Sequence, residues 1–417
     1  MPKRAGIPRP KNPILRTRQA TSPPATRSRV ALGLTAAAAR GRFALQTCRD
    51  CGTVQYPPRE VCRACLSPRL IWRPQHGAGK LLSETTLCAA QELYFRERLP
   101  WRLGLVRLDA GVNVVGYVHA SVGAAPCRVR VEAALDRAGQ AALVAVPEKG
   151  RPDLSDDPKL REFTCDPRGR KILVTDGKTL AGQAIVQALT KAGADKIWIG
   201  EAEPWKKIAG LEALRSLPQA TIVPLDVTDG NSVQTLAGEI GGKVDILIST
   251  ADHHRAVSIA ARRGVETAQL EMDVNYFGLL RLAQAFAPVL QARAADQPVN
   301  AIAWVNILSI FALANYPPHG TYSASKAAAY SLSQTLRTQL RPAGVRMVNV
   351  FPGPIDDEWD QLEMPPKLSP TSLAAAVVGA LKGSVEEVYP GDVAQDWVAR
   401  YLDNPKVLER EVGEGTR

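Results

Sequence analysis

From Lys171 onward, short apolar runs alternate with segments of helix length, and this alternation constrains the fold more than any other feature of the chain. The runs read KILVT, KIWIG, TIVPLDV, VDILIST, AIAWVNILS and VRMVNVFPG. Strand-like runs separated by helix-length segments are typical of βαβ units and a parallel sheet. We therefore predict an α/β, doubly wound parallel sheet over residues 171–417.

Residues 76–147 have a different pattern, in which short alternating apolar runs are separated by glycines. These runs read KLLSETTL, RLGLVRL, VNVVGYVHA, CRVRVEA and ALVAV. Such a series of short strands indicates a small β-barrel or sandwich. The charged, proline-containing stretch between this region and the doubly wound domain, residues 148–170, is predicted to be a linker.

Four of the seven cysteines form two Cys-x-x-Cys pairs, Cys48 with Cys51 and Cys62 with Cys65. Each pair can form a tight knuckle whose backbone N–H groups point at the sulfurs, and two knuckles give the tetrahedral four-sulfur site that zinc prefers. A redox pair or an iron centre with the same ligands is the alternative. Because four sulfurs leave no open coordination position, we expect a structural role for the metal.

The net charge of +11 is concentrated at the start of the chain. Residues 1–29 contain eight lysines and arginines and no acidic residue. This proline-rich stretch lacks hydrophobic periodicity, so we predict a disordered basic tail over residues 1–31. The tail is compatible with a solvated linker, with contacts to nucleic acid, an acidic partner or a membrane surface, and with an organelle transit peptide.

Long apolar segments are missing from the sequence. No run approaches the roughly 18–20 apolar residues of a membrane span, and the first residues lack the apolar segment of a secretory signal. We therefore expect a cytoplasmic protein with no membrane partner. In that reducing compartment, paired cysteines favour metal binding over disulfides.

The segment TYSASKAAAYSLSQTLRTQL places Tyr322 and Lys326 one turn apart on one face of a predicted helix. An ammonium group beside a phenol favours the phenolate, and such a phenol can exchange a proton with a carbinol oxygen near neutral pH. Ser309 ends a predicted buried strand, where its hydroxyl can hold the substrate oxygen. Asn275 can orient a helix carbonyl and a water leading to Lys326.

Together these positions resemble the short-chain dehydrogenase/reductase family, a Rossmann fold, over residues 171–417. The resemblance implies that Asn275, Ser309, Tyr322 and Lys326 are catalytic and that the cofactor is NAD, with NADP as a possibility. The predicted cofactor-binding residues are Thr175, Gly177, Lys178, Gly182, Glu201, Asp226, Val227, Tyr322, Lys326, Pro352, Gly353 and Ile355. Glu201 favours NAD because a carboxylate repels a 2′-phosphate, whereas Lys178 argues weakly for NADP.

The phosphate loop departs from the family pattern T-G-x-x-x-G-x-G. Residues 175–182 read TDGKTLAG, so Asp176 and Leu180 replace two glycines and Gly177 is one position late. The family's N-N-A-G is also changed, to STAD at residues 249–252. Two hypotheses follow: an active enzyme with a rebuilt loop and Asp176 turned away, or a domain that has lost cofactor binding.

Residues 32–147 resemble a second family, with a rubredoxin-like zinc ribbon (32–75 here, with a leading helix) and an OB-like barrel (76–147). Its members accompany thiolase-like or aldolase-like enzymes acting on acyl-CoA. The two resemblances imply an alcohol/ketone oxidoreductase of the EC 1.1.1 type acting on a hydroxyacyl-CoA or 3-oxoacyl-CoA substrate beside such a partner, and a homo-oligomer through the dehydrogenase domain. The alternative is a non-catalytic subunit that binds a thiolase-like enzyme and acyl-CoA.

Three further expectations concern individual segments. Trp359, Leu362 and Met364 resemble the family's mobile substrate lid, or form a surface helix and loop. Adjacent histidines do not readily face one ligand, so we predict that His253 and His254 are surface residues. OB folds also bind single-stranded nucleic acid, but the barrel's aromatic residues do not follow one alternating strand pattern, so nucleic acid is not an expected partner.

Overall fold

The fold is described from a computed structural model, which covers residues 21–24, 28–150, 152–208, 210–256, 259–260, 264–296, 301–358 and 366–414. Most of the predicted basic tail lies outside these residues. The predicted lid residues Trp359, Leu362 and Met364 also lie outside them.

The described chain begins with a short helix and a three-stranded ribbon. The helix is α1 (Leu32–Ala38), and the strands are β1 (Ala44–Cys48), β2 (Val54–Gln55) and β3 (Leu70–Pro74). β1 lies in the middle and pairs antiparallel with both neighbours.

A closed five-stranded barrel follows the ribbon. Its elements are β4 (Ala78–Leu87), α2 (Leu93–Arg96), β5 (Trp101–Leu108), β6 (Asn113–Val118), β7 (Cys127–Leu135) and β8 (Ala141–Pro147), and the strands close in the order β4-β5-β6-β8-β7. Leu34 of α1 and Leu45 of β1 are buried in the same core as Leu81 and Val129 of the barrel. The ribbon and the barrel therefore share one hydrophobic core.

The C-terminal domain is built on a seven-stranded parallel sheet. Its strands are β9 (Lys171–Val174), β10 (Lys196–Glu201), β11 (Ala220–Pro224), β12 (Ile246–Ser249), β13 (Ile302–Ile307), β14 (Val345–Val350) and β15 (Glu387–Val388). The spatial order is β11-β10-β9-β12-β13-β14-β15, and the neighbouring strands pair in parallel. The predicted fold class, a doubly wound sheet preceded by a ribbon and a barrel, is confirmed.

Helices cover both faces of this sheet. They are α3 (Leu180–Lys191), α4 (Leu211–Arg215), α5 (Gly230–Ile240), α6 (Glu266–Met272), α7 (Leu279–Asp296), α8 (Gly320–Leu340), α9 (Pro370–Gly383), α10 (Asp392–Asp403) and α11 (Pro405–Glu414). Successive strand residues point to opposite faces, so Leu173 and Trp304 enter one core and Ile172 and Val305 enter the other. No helix in the described ranges is both long and apolar enough to cross a membrane.

The barrel contacts the sheet near the amino-terminal end of β14. The Arg346 guanidinium donates to the carbonyl oxygens of Phe163 at 3.0 Å, Leu135 at 2.6 Å and Glu162 at 2.8 Å. Leu160 and Phe163, in the segment predicted as a linker, are buried against barrel residues. The contact thus lies at the amino-terminal end of the sheet. Doubly wound domains bind their ligands at the other end, outside the carboxyl ends of the strands.

Candidate active site

A cavity of about 610 Å³ opens at the carboxyl ends of the strands, where the strand order reverses between β9 and β12. This crevice is where open α/β sheets bind nucleotides. Of the predicted cofactor residues, the cavity is lined by Thr175, Lys178, Asp226 and Val227. The structure thus brings the loops after β9 and β11 to one opening.

Tyr322 and Lys326 lie on α8 as predicted, and both are buried, with 5% and 3% of their surfaces exposed. The Lys326 ammonium donates to the carbonyl oxygen of Ile307 at 3.2 Å and lies 5.5 Å from the centre of the Tyr322 ring. β13 therefore fixes the position of the ammonium group beside the phenol.

Ser309 follows β13, where its hydroxyl accepts a hydrogen bond from the backbone N–H of Phe311 at 3.2 Å. Ser309 and Tyr322 line a second cavity, of about 30 Å³, together with Pro352, Gly353 and Ile355. A cavity of this size holds about one or two water molecules. Two of the predicted catalytic residues and three of the predicted nicotinamide-side residues therefore meet at one small cavity.

Asn275 lies in a π-helical segment, Asp273–Gly278, between α6 and α7. Its amide accepts from the backbone N–H of His253 at 3.0 Å and donates to the His253 carbonyl and the Ser325 hydroxyl, each at 2.9 Å. π-Helical turns are frequent at functional sites. Here the side chain fastens the loop after β12 to α8.

Asp252, which the sequence analysis did not assign to the site, contacts both central residues. Its Oδ1 lies 3.1 Å from the Lys326 ammonium, and its Oδ2 accepts a hydrogen bond from the Tyr322 hydroxyl at 3.2 Å. Asp252 occupies the last position of the altered STAD segment. That departure from the family motif was the available signal, and its meaning depends on contacts that only the fold creates.

The prediction that His254 is a surface residue is wrong. Its ring is 4% exposed and stacks on Tyr322, with ring centres 3.7 Å apart, and Nε2 makes a short hydrogen bond with Nδ1 of His319. Burial lowers the pKa of His254 to about 3, which keeps the ring neutral at physiological pH. The preceding residue, His253, is partly exposed and lines the large cavity.

The phosphate loop uses its own groups to satisfy several of its backbone donors. The N–H of Lys178 donates to the Asp176 carboxylate at 2.8 Å, and the N–H of Gly182 donates to the Thr179 hydroxyl at 3.0 Å. Leu180 N–H, at the start of α3, points to the Glu358 carboxylate at 3.5 Å. Two carboxylate groups therefore lie near the N-terminus of α3, and a helix N-terminus is a position that favours anions.

Two glycines in this loop lie where a side chain cannot fit. A Cβ at Gly182 would come within 2.4 Å of the Asp176 carbonyl oxygen, and one at Gly177 would lie 2.3 Å from Ile199. Asp176 is 7% exposed, and burial raises the pKa of its carboxyl to about 6, partly opposed by Lys178 3.5 Å away. Asp176 is among the residues that line the large cavity.

Only some of the residues predicted to bind the adenosine side of the cofactor line the large cavity. Glu201 is buried and accepts from Arg215 at 3.2 Å, and the residues at the cavity wall beyond β10 are Glu203, Trp205 and Lys206. Trp205 is 76% exposed, so its ring is available to a bound molecule. Sequence reasoning missed it, because an aromatic residue in a loop after a strand has no distinctive pattern.

The four ribbon cysteines form one cluster, with their sulfurs all within 4.8 Å of one another. Cys48 and Cys65 sulfurs are 3.6 Å apart, and those of Cys51 and Cys62 are 3.5 Å apart. Backbone N–H groups of Asp50 and Ala64 point at Cys48 and Cys62, each at 3.4 Å. Zn–S bonds of about 2.3 Å in a tetrahedron separate sulfurs by ~3.8 Å, so these thiols fit structural zinc.

Comparisons with known proteins agree with this architecture. A family model for short chain dehydrogenases matches residues 170–364. A model described as the rubredoxin-like zinc ribbon domain of ChsH2 matches residues 35–70, and its C-terminal OB-fold domain matches residues 72–138. The predicted resemblances of both halves of the chain are thereby confirmed.

Individual relatives match the C-terminal part. A short chain dehydrogenase from Burkholderia cenocepacia, solved in complex with NADP, is 32% identical with a TM-score of 0.53, and the match covers 59% of this chain and 98% of that one. An uncharacterized oxidoreductase of Staphylococcus aureus is 29% identical over 215 residues, 50% of this chain and 89% of that protein.

Short-chain dehydrogenase PC-15 of Penicillium crustosum is 32% identical over 155 residues, which are 36% of this chain. The chain spans about half the length of that relative, 54%. Through the region that these matches share, the chain belongs to the short-chain dehydrogenase family, and a ChsH2-type zinc ribbon and OB-fold domain precede that region.

Proposed function

We propose that this protein is an NAD(P)-dependent oxidoreductase that interconverts alcohol and ketone groups. The observation that carries the proposal is that Ser309 and Tyr322 line a small cavity near a dinucleotide-sized crevice, with the Lys326 ammonium 5.5 Å from the centre of the Tyr322 ring. The Burkholderia relative, which the chain covers almost completely, is a short chain dehydrogenase in complex with NADP.

In the proposed mechanism the bound dinucleotide supplies the hydride acceptor or donor. Tyr322 moves a proton to or from the carbinol oxygen, and the Lys326 ammonium, held by the Ile307 carbonyl, stabilises the phenolate. Ser309 holds the substrate oxygen. Asn275 keeps the loop after β12 in register with α8.

The choice between NAD and NADP depends on the charged side chains that line the large cavity. Glu201 favoured NAD in the sequence, but its carboxylate is engaged by Arg215. The large cavity is lined by Lys178, Lys206 and Arg255, and cationic side chains favour a 2′-phosphate. The same cavity is also lined by the carboxylates of Asp176, Glu203, Asp226 and Glu358, so its charges favour neither cofactor over the other.

The proposed substrate is a hydroxyacyl-CoA or 3-oxoacyl-CoA, and the proposed partner is a thiolase- or aldolase-like protein. Support comes from the ChsH2-type domain, which contacts the sheet at the end away from the crevice. The ribbon exposes apolar side chains, including Val61 at 42% and Leu66 at 72%, as protein-binding surfaces do. We also propose homo-oligomerisation through the dehydrogenase domain and a cytoplasmic location.

The first test is a binding titration of the purified chain with NADH and NADPH, followed by nucleotide fluorescence and by quenching of tryptophan emission. We expect saturable binding of at least one of the two, because the crevice is open and its lining includes Lys178, Lys206 and Arg255. Trp205→Phe serves as the variant that identifies the source of the tryptophan signal. No binding of either nucleotide at millimolar concentration would contradict the proposed activity.

The competing proposal is a non-catalytic subunit that binds a thiolase-like enzyme. It is favoured by one observation: backbone donors of the phosphate loop are satisfied by the chain's own Asp176, Thr179 and Glu358. Co-purification of a thiolase-like partner together with absent dinucleotide binding would select it.

Asp176 makes dinucleotide affinity pH-dependent in a direction that can be predicted. Its carboxyl, with a pKa raised to about 6 by burial, is neutral below pH 6 and becomes an anion beside the bound pyrophosphate above it. Affinity should therefore fall about tenfold from pH 5 to pH 8, the effect of one added charge at close range.

ADP-ribose is the probe for this test, because the 2′-phosphate of NADP would itself titrate in this range. Isothermal titration calorimetry of the wild type and of Asp176→Asn gives the two pH profiles. The variant should show a flatter profile, because the carboxyl of Asp176 is gone while His253 and the other charged groups at the cavity remain in both proteins. Equal pH dependence in both proteins would contradict the assignment to Asp176.

A further inference from the structure

Asp252 bridges the two side chains on which the proposed chemistry depends. One oxygen lies 3.1 Å from the Lys326 ammonium, and the other accepts a hydrogen bond from the Tyr322 hydroxyl at 3.2 Å. We propose that Asp252 is a gate: it holds Tyr322 and Lys326 in a closed state and must leave them before ligand reaches the site. This inference rests on the proposed oxidoreductase function and adds its regulation.

The contacts of Asp252 compete with those of a substrate. A phenol has a single hydroxyl proton, and Tyr322 donates it to Asp252. A carbinol or carbonyl oxygen can receive that proton only if the carboxylate moves away. The cavity that Ser309 and Tyr322 share with Asp252 is about 30 Å³, too small for a substrate together with the end of a dinucleotide.

The two sides of this ion pair differ in freedom to move. Lys326 is fixed on α8, with 3% of its side chain exposed and a second hydrogen bond to Ile307. Asp252 follows β12 in a loop without regular structure, and 23% of its side chain is exposed. Opening therefore moves Asp252 rather than Lys326.

A destination for the displaced carboxylate lies next to the pair. The neighbouring residues Ala251 and His253 line the large cavity, and so do the cations Lys178 and Arg255. A carboxylate that leaves Lys326 toward this cavity exchanges one cation for another. The displaced carboxylate thus keeps cationic neighbours, while Lys326 keeps its hydrogen bond to the Ile307 carbonyl.

The gate acts on one part of a dinucleotide only. The adenosine side of the crevice has a volume of about 610 Å³, whereas the cavity at Tyr322 has only about 30 Å³. A ligand confined to the open part binds without moving Asp252. A ligand that extends to Lys326 binds only the open state, so its apparent affinity is reduced by the fraction of molecules that are open.

The experiment compares full-length wild type with Asp252→Asn, which removes the charge and keeps the shape, and with Asp252→Gly, which clears the space. Asp396→Asn, an exposed carboxylate paired with Arg400 on α10, is the matched control. Kd values for NADH, NADPH and ADP-ribose are measured by calorimetry, and thermal melting confirms that each variant is folded.

If the open state of the wild type is less than a tenth populated, both Asp252 variants should bind the preferred dinucleotide at least about tenfold more tightly. Their Kd for ADP-ribose should stay within about twofold of the wild-type value, because ADP-ribose lacks the part that reaches Lys326. Asp396→Asn should match the wild type with all three ligands.

Three results would overturn the gate. Unchanged or weaker dinucleotide binding in both folded variants overturns it and leaves the proposed function standing if the wild type binds. Unchanged Kd with reduced turnover means that Asp252 assists the chemistry instead. Binding of neither dinucleotide by any protein overturns both proposals.

Discussion

Replacing Tyr322 with phenylalanine is expected to abolish dinucleotide-dependent turnover while the fold is kept. The change removes one oxygen, the group proposed to exchange a proton with the carbinol oxygen. Loss of a positioned acid or base typically costs a factor of about 10²–10⁴ in rate. The ring keeps its stacking on His254, so we expect near-normal dinucleotide affinity. Initial rates with NAD(P)H and a panel of ketones, together with Kd, measure the effect.

Tyr330 on the same helix provides the matched control. Its hydroxyl donates to the Glu387 carboxylate at 3.1 Å, away from both cavities. Tyr330→Phe should keep full turnover and lose about 0.5–1.5 kcal/mol of stability, the usual net value of one hydrogen bond. Retained turnover in Tyr322→Phe, or equal loss in both variants, would contradict the assignment of Tyr322.

The overall architecture was predictable because the patterns that specify it are local. Apolar runs alternating with helix-length segments fix βαβ units, and right-handed crossovers leave few arrangements of a parallel sheet. The spacing of Tyr322 and Lys326 on one helix likewise predicts their shared face. The zinc site was predictable because each Cys-x-x-Cys pair is a local pattern, and the fold has only to bring the two pairs together.

The electrostatic state of the site was not predictable, because it depends on contacts between loops that are far apart in sequence. Asp252 is 70 residues from Tyr322 along the chain, and its orientation is set by the packing of the β12 loop against α8. The burial of His254 arises in the same way, from stacking on Tyr322. An unusual residue in a family motif indicates such a site without giving its geometry.

Cys62→Ser is expected to have the largest effect on stability. Structural zinc in comparable small sites contributes an apparent binding free energy of about 10–16 kcal/mol, and Cys62 is fully buried between the two knuckles. Replacing a thiolate by a hydroxyl removes one of four ligands. We expect loss of stoichiometric zinc, measured by atomic emission, and rapid hydrogen exchange across β1–β3.

The damage should spread into the barrel and stop before the doubly wound domain. Leu45 of β1 belongs to the same core as the barrel residues Leu81 and Val129, so a disordered ribbon exposes that core. The cores on the two faces of the parallel sheet contain no ribbon residue, so amides of β9 and β12 should stay protected.

Cys88→Ser, at an exposed cysteine outside the cluster, is the control and should keep zinc and protection. If Cys62→Ser retained full zinc content and ribbon protection, the four-sulfur site would be the wrong assignment. If protection were lost in β9 and β12 as well, the ribbon would be coupled to the doubly wound domain through the junction between the two halves, which includes the Arg346 hydrogen bonds and the bond from the Glu386 N–H to the Ala39 carbonyl.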